Sequence, residues 1–146
     1  MKTSLLITAL LIFTSTTFSQ DFSSYDNSFK KTIFSQYLKD SVHLEITVPH
    51  ELKESQHPNN FPVIYLLDSQ LKSNYKYNLQ TIDYLNSLES MPHTIIVGIT
   101  FSRHNRGPWT VPNASGGKAD DLIDFITDEL NQELKNLYPI YLTLIY

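Results

Sequence analysis

Residues 61–70 read FPVIYLLDSQ, an almost unbroken apolar run that ends in three polar residues. The run VIYLL at 63–67 is typical of a strand buried on both faces, which is the usual condition of strands in parallel sheets. A second such run, TIIVGITF, occupies residues 94–101, and a third, IYLTLIY, occupies residues 140–146. This rhythm is that of βαβ units, so we predict three parallel strands.

Apolar residues recur at helical spacing between these runs. They come every three residues in the first interval and every four in the second, and either repeat lines one face of a helix. The predicted faces comprise Leu79, Ile82, Leu85 and Leu88 in the first helix, and Leu122, Ile126, Leu130 and Leu134 in the second, with Ile123 and Leu137 alongside. Because crossover helices connect parallel strands, the predicted fold class is α/β.

Two segments before this core alternate apolar and polar residues. They are TIFSQYL at 32–38 and VHLEITV at 42–48, and they flank Lys39-Asp40-Ser41. This alternation predicts an antiparallel hairpin with one solvated face. Pro49 cannot donate to a ladder and ends the second strand, and the polar residues 50–60 predict a surface loop.

The composition restricts the classes of function. A chain of 146 residues with 41% hydrophobic residues is compatible with one globular domain. Its formal net charge of −4 gives no electrostatic reason to expect nucleic acid or an anionic membrane as a partner. The chain has no cysteine, which excludes disulfides and thiolate ligands. We expect no metal and no cofactor, because the five histidines lack ligand spacing and no Gly-rich phosphate loop is present.

Acidic residues are concentrated on the second predicted helix. Two of them lie in its first turn, after Ser115-Gly116-Gly117, where the macrodipole favours negative charge. The acids are Asp120, Asp121, Asp124, Asp128, Glu129 and Glu133. Their position opposite the apolar stripe indicates a solvated face rather than a catalytic cluster.

The N-terminus has the parts of a secretory signal. Lys2 precedes the apolar run LLITALLIF at 5–13, and small polar residues lead to Ser19. We predict a signal peptide at residues 1–19 and one domain at residues 20–146, which would make the protein periplasmic or extracellular. A stable membrane anchor is not expected, because a spanning helix needs about 20 apolar residues.

Two polar segments follow the first two buried strands at the edge where α/β sheets bind ligands. Asp68-Ser69-Gln70 follows the first, with Asp68 either at a site or bonded to nearby backbone in a turn. Arg103 and Arg106 in the second segment could grip a substrate anion or pair with surface acids. Trp109 could pack on a ligand or cover the sheet, as could Tyr75 and Tyr77.

Three of these segments together resemble the putative esterase family of α/β-hydrolases, which includes esterase D, siderophore esterases and mycolyltransferases. They are FPVIYLLDSQ, TIIVGITFSRHNR at 94–106 and SGGKADDLIDFITDEL at 115–130, in this order. The resemblance runs from about residue 32 to residue 146 and implies a small-molecule ester substrate. It also implies that the backbone N–H of Gln70 contributes to an oxyanion hole. Ser69 stands where the family commonly has Gly, and a positive φ there would strain a serine. Arg106 corresponds best to the family's arginine in the loop after the next strand.

The resemblance further implies a G-H-S-x-G-G nucleophile elbow directly after the third strand, with the acid and the histidine of the triad later still. Tyr146 stands where that elbow would begin, and no G-x-S-x-G occurs in the chain. We therefore predict the N-terminal part of an α/β-hydrolase sheet, a hairpin and then parallel βαβ units, truncated before the elbow. No catalytic residue is assigned, and the chain alone is expected to lack serine esterase activity. Two alternatives stay open: a small non-catalytic binding module derived from the hydrolase fold, and complementation by a separately encoded C-terminal half.

Overall fold

Five strands form one mixed sheet in the order β1-β2-β4-β3-β5. The computed structural model describes residues 24–25, 28–54 and 61–145. The strands are β1 (Phe29–Ser35), β2 (Asp40–Thr47), β3 (Phe61–Leu67), β4 (Ile95–Thr100) and β5 (Ile140–Ile145). The signal peptide predicted at residues 1–19 lies outside the described residues.

The longer connections contain helices. The α-helices are α1 (Glu51–Glu54), α2 (Lys72–Ser87), α3 (Arg106–Thr110), α4 (Ala119–Asp124) and α5 (Asn131–Leu137). A 3₁₀ turn covers Asn113–Ser115, and a π-helical segment at Phe125–Leu130 joins α4 to α5 without a break. Within the described residues, every helix is too short or too polar to cross a membrane.

The strand directions confirm the predicted hairpin followed by parallel units. β1 pairs antiparallel with β2, and β2 pairs antiparallel with β4. β3 then pairs in parallel with both β4 and β5. The hairpin turn lies at residues 36–39, earlier than predicted. It closes there because Ser35 accepts the backbone N–H of Lys39 at its carbonyl oxygen and that of Leu38 at Oγ, each at 3.0 Å.

Both faces of β3 and β4 are covered. On one face Val63 and Tyr65 join the cluster that contains the buried residues of the α4–α5 helix. On the other face Ile64 and Leu66 join a second cluster with Tyr75 of α2. The continuous apolar runs of β3 and β4 therefore reflect strands between two helical layers.

The buried face of α2 differs from the predicted repeat. The residues that pack on the sheet are Tyr75, Leu79, Ile82 and Asn86, whereas Leu88 is 53% exposed. Spacings that alternate between four and three follow the turn of an α-helix, but a strict repeat of three drifts away from the core. The assignment of Leu88 to the buried face was therefore wrong.

The second predicted helix buries its repeat of four. Leu122, Ile126, Leu130 and Leu134 are all buried, and Phe125 joins them. The residues placed beside this stripe were predicted wrongly, since Ile123 is 52% exposed and Leu137 is 46% exposed.

The acidic side of this helix contacts the hairpin as well as solvent. Three acids each bind one hairpin residue, so the interpretation of a purely solvated face was incomplete. The contacts are Lys31 Nζ to Glu133 Oε1 at 2.5 Å, Gln36 N–H to Glu129 Oε1 at 2.8 Å, and Tyr37 Oη to Asp128 Oδ2 at 2.8 Å. These bonds hold the β1–β2 hairpin against the helix.

The N-terminal pair, Ser24 and Tyr25, is attached to distant parts of the chain. The Ser24 N–H donates to Asp83 Oδ1 at 2.8 Å. The Tyr25 hydroxyl donates to Asn86 Oδ1 at 2.6 Å and accepts the backbone N–H of Thr94 at 3.4 Å. The pair therefore joins the end of α2 to the start of β4.

Candidate functional site

The loops after β3 and β4 meet at the carboxyl edge of the sheet. The two strands are parallel neighbours with Leu67 opposite Ile99, so the residues that follow them come together. Ser69 N–H donates to the carbonyl oxygen of Ile99 at 3.1 Å, and Ser69 Oγ lies 2.8 Å from Thr100 Oγ1. Ser69 is fully buried, which makes it part of the support of this edge.

Asp68 is the left-handed residue of the first loop. Its φ is +60°, and its carbonyl oxygen accepts the N–H of Leu71 at 2.9 Å, which closes a tight turn. Asp tolerates this conformation better than most residues. Ser69 does not have a positive φ, so the strain expected at the position where the family has Gly does not arise there.

Asp68 and Arg106 form a two-point ion pair. Arg106 Nε donates to Asp68 Oδ1 and Nη2 donates to Oδ2, each at 2.8 Å. The hydrogen bonds from Arg106 hold the pKa of Asp68 below its ordinary value. A carboxyl with a lowered pKa stabilises the fold above its unfolded pKa and loses that effect as pH falls through the folded pKa. Water screens the pair, since the Arg106 side chain is 57% exposed.

The Gln70 side chain links the two loops. Its Nε2 donates to Asp68 Oδ1 at 2.6 Å, and its Oε1 accepts the backbone N–H of Phe101 at 2.8 Å. Within the described part of the chain, no acceptor is bonded to the backbone N–H of Gln70. The side-chain amide of Gln70 therefore fixes the loop, and the backbone N–H of the same residue makes no hydrogen bond to the described residues.

Gly98 allows the loop to lie close to the sheet. A Cβ at this position would stand 2.6 Å from Ser69 Cβ and 2.7 Å from Tyr75 Cε2. Real Cβ atoms do not approach other atoms this closely, so the contact requires glycine. Gly98 was not among the predicted site residues, although a glycine inside an apolar strand is a known signal of close backbone approach.

The other candidates lie apart from this network. Arg103 is exposed and has no hydrogen bond or ion pair among the described residues. Trp109 is buried and packs edge-to-face on Phe101, with ring centroids 5.9 Å apart, so it covers the sheet. Tyr75 is buried as well, whereas Tyr77 is 70% exposed. Of the four substrate-region candidates, only Asp68 and Arg106 come into contact.

Beside Gln70 lies a depression of about 390 Å³ that sequence reasoning missed. We call it the basic depression, and its wall is formed by Lys30, Lys31, Thr32, His43, Leu44, Glu45, Gln70, Lys72 and Thr100. Its residues come from four separate stretches of the chain, so no local sequence motif marks it. Elsewhere among the described residues, no group of three or more histidine or acidic side chains is arranged to hold a metal ion.

Comparison with known proteins identifies a matching family. The sequence model of the family described as "Putative esterase" matches residues 35–143. None of the curated proteins matches the chain in sequence.

Solved structures share the fold. An IroE-like serine hydrolase from Shewanella oneidensis superposes with a TM-score of 0.63 at 22% identity, over 82% of this chain and 42% of that one. The siderophore hydrolase EstB from Aspergillus nidulans gives 0.65 at 18% identity, over 82% of this chain and 47% of that one. A ferulic acid esterase gives 0.62 at 18% identity, over 84% and 48%. The chain thus spans less than half the length of each of these structures.

Proposed function

This chain belongs to the putative esterase family, and from that premise we propose that it supplies the N-terminal scaffold and an oxyanion loop of an exported carboxylic ester hydrolase. The observation that carries the proposal is that hydrogen bonds and an ion pair join the two loops at the carboxyl edge of β3 and β4. Open α/β sheets bind their ligands just beyond this edge. The substrate class is a small-molecule ester.

The proposed role of Gln70 uses its backbone N–H. A rigid donor aimed at developing negative charge stabilises a tetrahedral intermediate without reorganisation. Two bonds of the Gln70 side chain hold the loop at Asp68 and at Phe101. Ser69 supports the same loop from below through Thr100.

Asp68 and Arg106 have a positioning role in this proposal. The guanidinium fork is occupied by Asp68, so it holds the two loops together rather than gripping a substrate anion. Arg103 remains an exposed cation of the second loop, and Trp109 is part of the core.

We further propose that a polypeptide of these 146 residues does not hydrolyse esters alone. Serine hydrolysis needs a nucleophile activated by a base that a carboxylate orients. The chain contains no G-x-S-x-G, and buried Ser69 shares its hydrogen bond with the hydroxyl of Thr100, which is not a base. The nucleophile elbow and the rest of the triad would then be encoded beyond codon 146, or in a separate C-terminal half.

The activity test uses purified chain and p-nitrophenyl acetate. The expected rate equals that of buffer, and a serine-directed inhibitor has no effect on it. Turnover above buffer that the inhibitor abolishes would overturn the proposal. Co-expression with a polypeptide encoded downstream that carries a G-H-S-x-G-G segment should restore inhibitor-sensitive turnover.

Export is tested by the N-terminus of the secreted product. Cleavage after Ser19 predicts that protein recovered outside the cytoplasm begins at Gln20. Leu10→Arg interrupts the apolar run and should abolish export, whereas Thr3→Arg adds a charge in front of the run and should preserve it. Recovery of the Leu10→Arg chain outside the cytoplasm would contradict a signal peptide.

The binding-module alternative rests on the basic depression, which gives the chain a possible ligand site without a nucleophile. It requires a 20–146 fragment that is monomeric and unfolds cooperatively. Thermal unfolding and sedimentation of this fragment distinguish a binding module from an incomplete domain. An incomplete domain is expected to self-associate, because it exposes sheet surface that is covered in its relatives.

A further inference from the structure

The basic depression adjoins the candidate oxyanion loop. Gln70 and Thr100 form its wall on the side of the loop. Most of the remaining wall comes from β1 and β2, where Thr32 pairs with His43 across the hairpin. A ligand group in this space would therefore lie next to the loop proposed to hold the reacting ester.

The charge of the depression is opposite to that of the protein. Three lysines and one glutamate line it, although the whole chain carries a formal charge of −4. Lys30 is exposed and has no ion pair among the described residues, and Lys31 is paired with Glu133, which lies outside the wall. A local excess of positive charge in a concave surface concentrates anions.

The lysine at the start of α2 is held in place. Lys72 pairs with Glu45 and stands 5.6 Å from the centroid of the Tyr75 ring, which itself is buried. His43 Nδ1 lies 2.9 Å from Thr32 Oγ1, so its ring is oriented by the neighbouring strand. A lysine held in this way loses little freedom when a ligand binds.

We propose that the basic depression is a subsite for an anionic group, a carboxylate on the ester substrate, bound by Lys30 and by the ammonium donors of Lys72 that its bond to Glu45 leaves free. The inference rests on the proposed function because it places this carboxylate on the same molecule as the ester. It narrows the substrate class to esters that carry a negative charge beside the ester carbonyl.

The test measures binding rather than turnover. The full chain is titrated with monomethyl succinate, an ester with one carboxylate, and with dimethyl succinate, its uncharged counterpart, while amide NMR shifts are followed. The expected result is saturable binding of monomethyl succinate with shifts at Gln70 and Lys72, and no binding of the diester. Equal binding of the two esters would overturn the inference.

Variants distinguish specific binding in the basic depression from nonspecific attraction of an anion to the positive charges of the protein. Lys30→Gln and Lys72→Gln should each weaken binding about threefold, the size typical of an exposed charge. Lys135→Gln makes the same change of net charge on α5 and should leave affinity unchanged. Lys30→Gln removes no hydrogen bond or ion pair to a described residue, so it keeps the test decisive if Lys72→Gln disturbs folding. Equal weakening by Lys135→Gln, or binding of inorganic phosphate with no binding of monomethyl succinate, would contradict the inference.

Failure of this inference and failure of the proposed function give different results. If monomethyl succinate binds but an assembled two-part hydrolase leaves all esters intact, only the proposed function fails. If the assembled hydrolase cleaves both succinate esters equally well, only the charged subsite fails.

Discussion

At the scale of single residues, Gly98 lies where the loop after β3 comes close to the sheet. The missing side chain leaves room for Ser69 and for the ring of Tyr75. The absence of one methyl group therefore sets how near the loop lies to the sheet.

We predict that Gly98→Ala destabilises the protein by about 1–3 kcal/mol, the usual cost of forcing a methyl group into a packed interior. The loss is measured by urea unfolding. Adding Ser69→Gly should recover part of it, because one of the two close atoms is then removed. If Gly98→Ala is as stable as the parent, the loop can move away from the added methyl group without a loss of stability.

Gly107→Ala is the matched control. No atom lies within 4 Å of a Cβ built there, and the residue belongs to α3. Alanine is the better helix former, so the change should leave the free energy of unfolding unchanged or raise it by up to about 1 kcal/mol. A loss like that of Gly98→Ala would assign the effect to glycine replacement in general.

The sequence predicted which polar residues share one edge but not how they pair. Parallel strands dictate that Asp68 and Arg106 lie at the same edge. Whether Arg106 binds Asp68 or a ligand depends on the turn of α3 and on the left-handed Asp68 backbone, and neither follows from residue type. The bridging role of the Gln70 side chain depends on the same turn.

At the scale of elements, the π-helical segment explains the apolar repeat of four. Four residues advance an α-helix by about 40° beyond one full turn, so three such steps would carry Leu134 away from the face of Leu122. The wider turns between Phe125 and Leu130 remove this drift, and all four repeat residues stay buried.

Deleting exposed Thr127 is therefore predicted to be tolerated. It changes the repeat of Leu122, Ile126, Leu130 and Leu134 to spacings of four, three and four, which suit a regular α-helix. We expect a loss of less than about 1 kcal/mol in the free energy of unfolding, since buried contacts are kept. Circular dichroism and urea unfolding measure the effect.

Deleting exposed Gln80 from α2 is the corresponding control. That helix has no wide turn, so the deletion rotates Ile82 and Asn86 by about 100° relative to Tyr75. The expected loss is about 2–5 kcal/mol, as for the removal of a large core side chain. Equal losses for the two deletions would contradict the account of the π segment.

Strands and helices were predictable to different degrees. The buried strands were found because period and length agree with burial on both faces. The face of α2 was missed at Leu88 because the repeat of three was extended beyond Ile82, where polar Asn86 takes the buried position. Asn86 is buried because its side chain bonds to the backbone oxygens of Met91 and Pro92, which no hydrophobic pattern reports.

At the scale of the whole molecule, the N-terminal pair contributes to stability and to its pH dependence. Burial raises the pKa of Tyr25 above its ordinary value of 10.0. A group with a raised folded pKa contributes stability below its unfolded pKa and loses that contribution as pH rises. The protein should therefore lose stability above about pH 10.

Tyr25→Phe tests this dependence. At neutral pH the variant should lose about 1–3 kcal/mol, because Asn86 Oδ1 is left buried without its donor. Above pH 10 its stability should fall less steeply than that of the parent. Tyr77→Phe, at a position that is 70% exposed, should match the parent throughout. If the free energy of unfolding falls equally with pH in the parent and in Tyr25→Phe, ionisation of Tyr25 plays no part in the pH dependence.

The attachment of the N-terminal pair also fixes an order of events during synthesis. The partners of Tyr25, Asn86 and Thr94, lie 61 and 69 residues later in the chain. A ribosome makes the N-terminus first, so the Tyr25 hydroxyl cannot make both of these bonds until translation has passed residue 94. A signal peptide at residues 1–19 would therefore leave the ribosome before the domain that follows it can complete its fold.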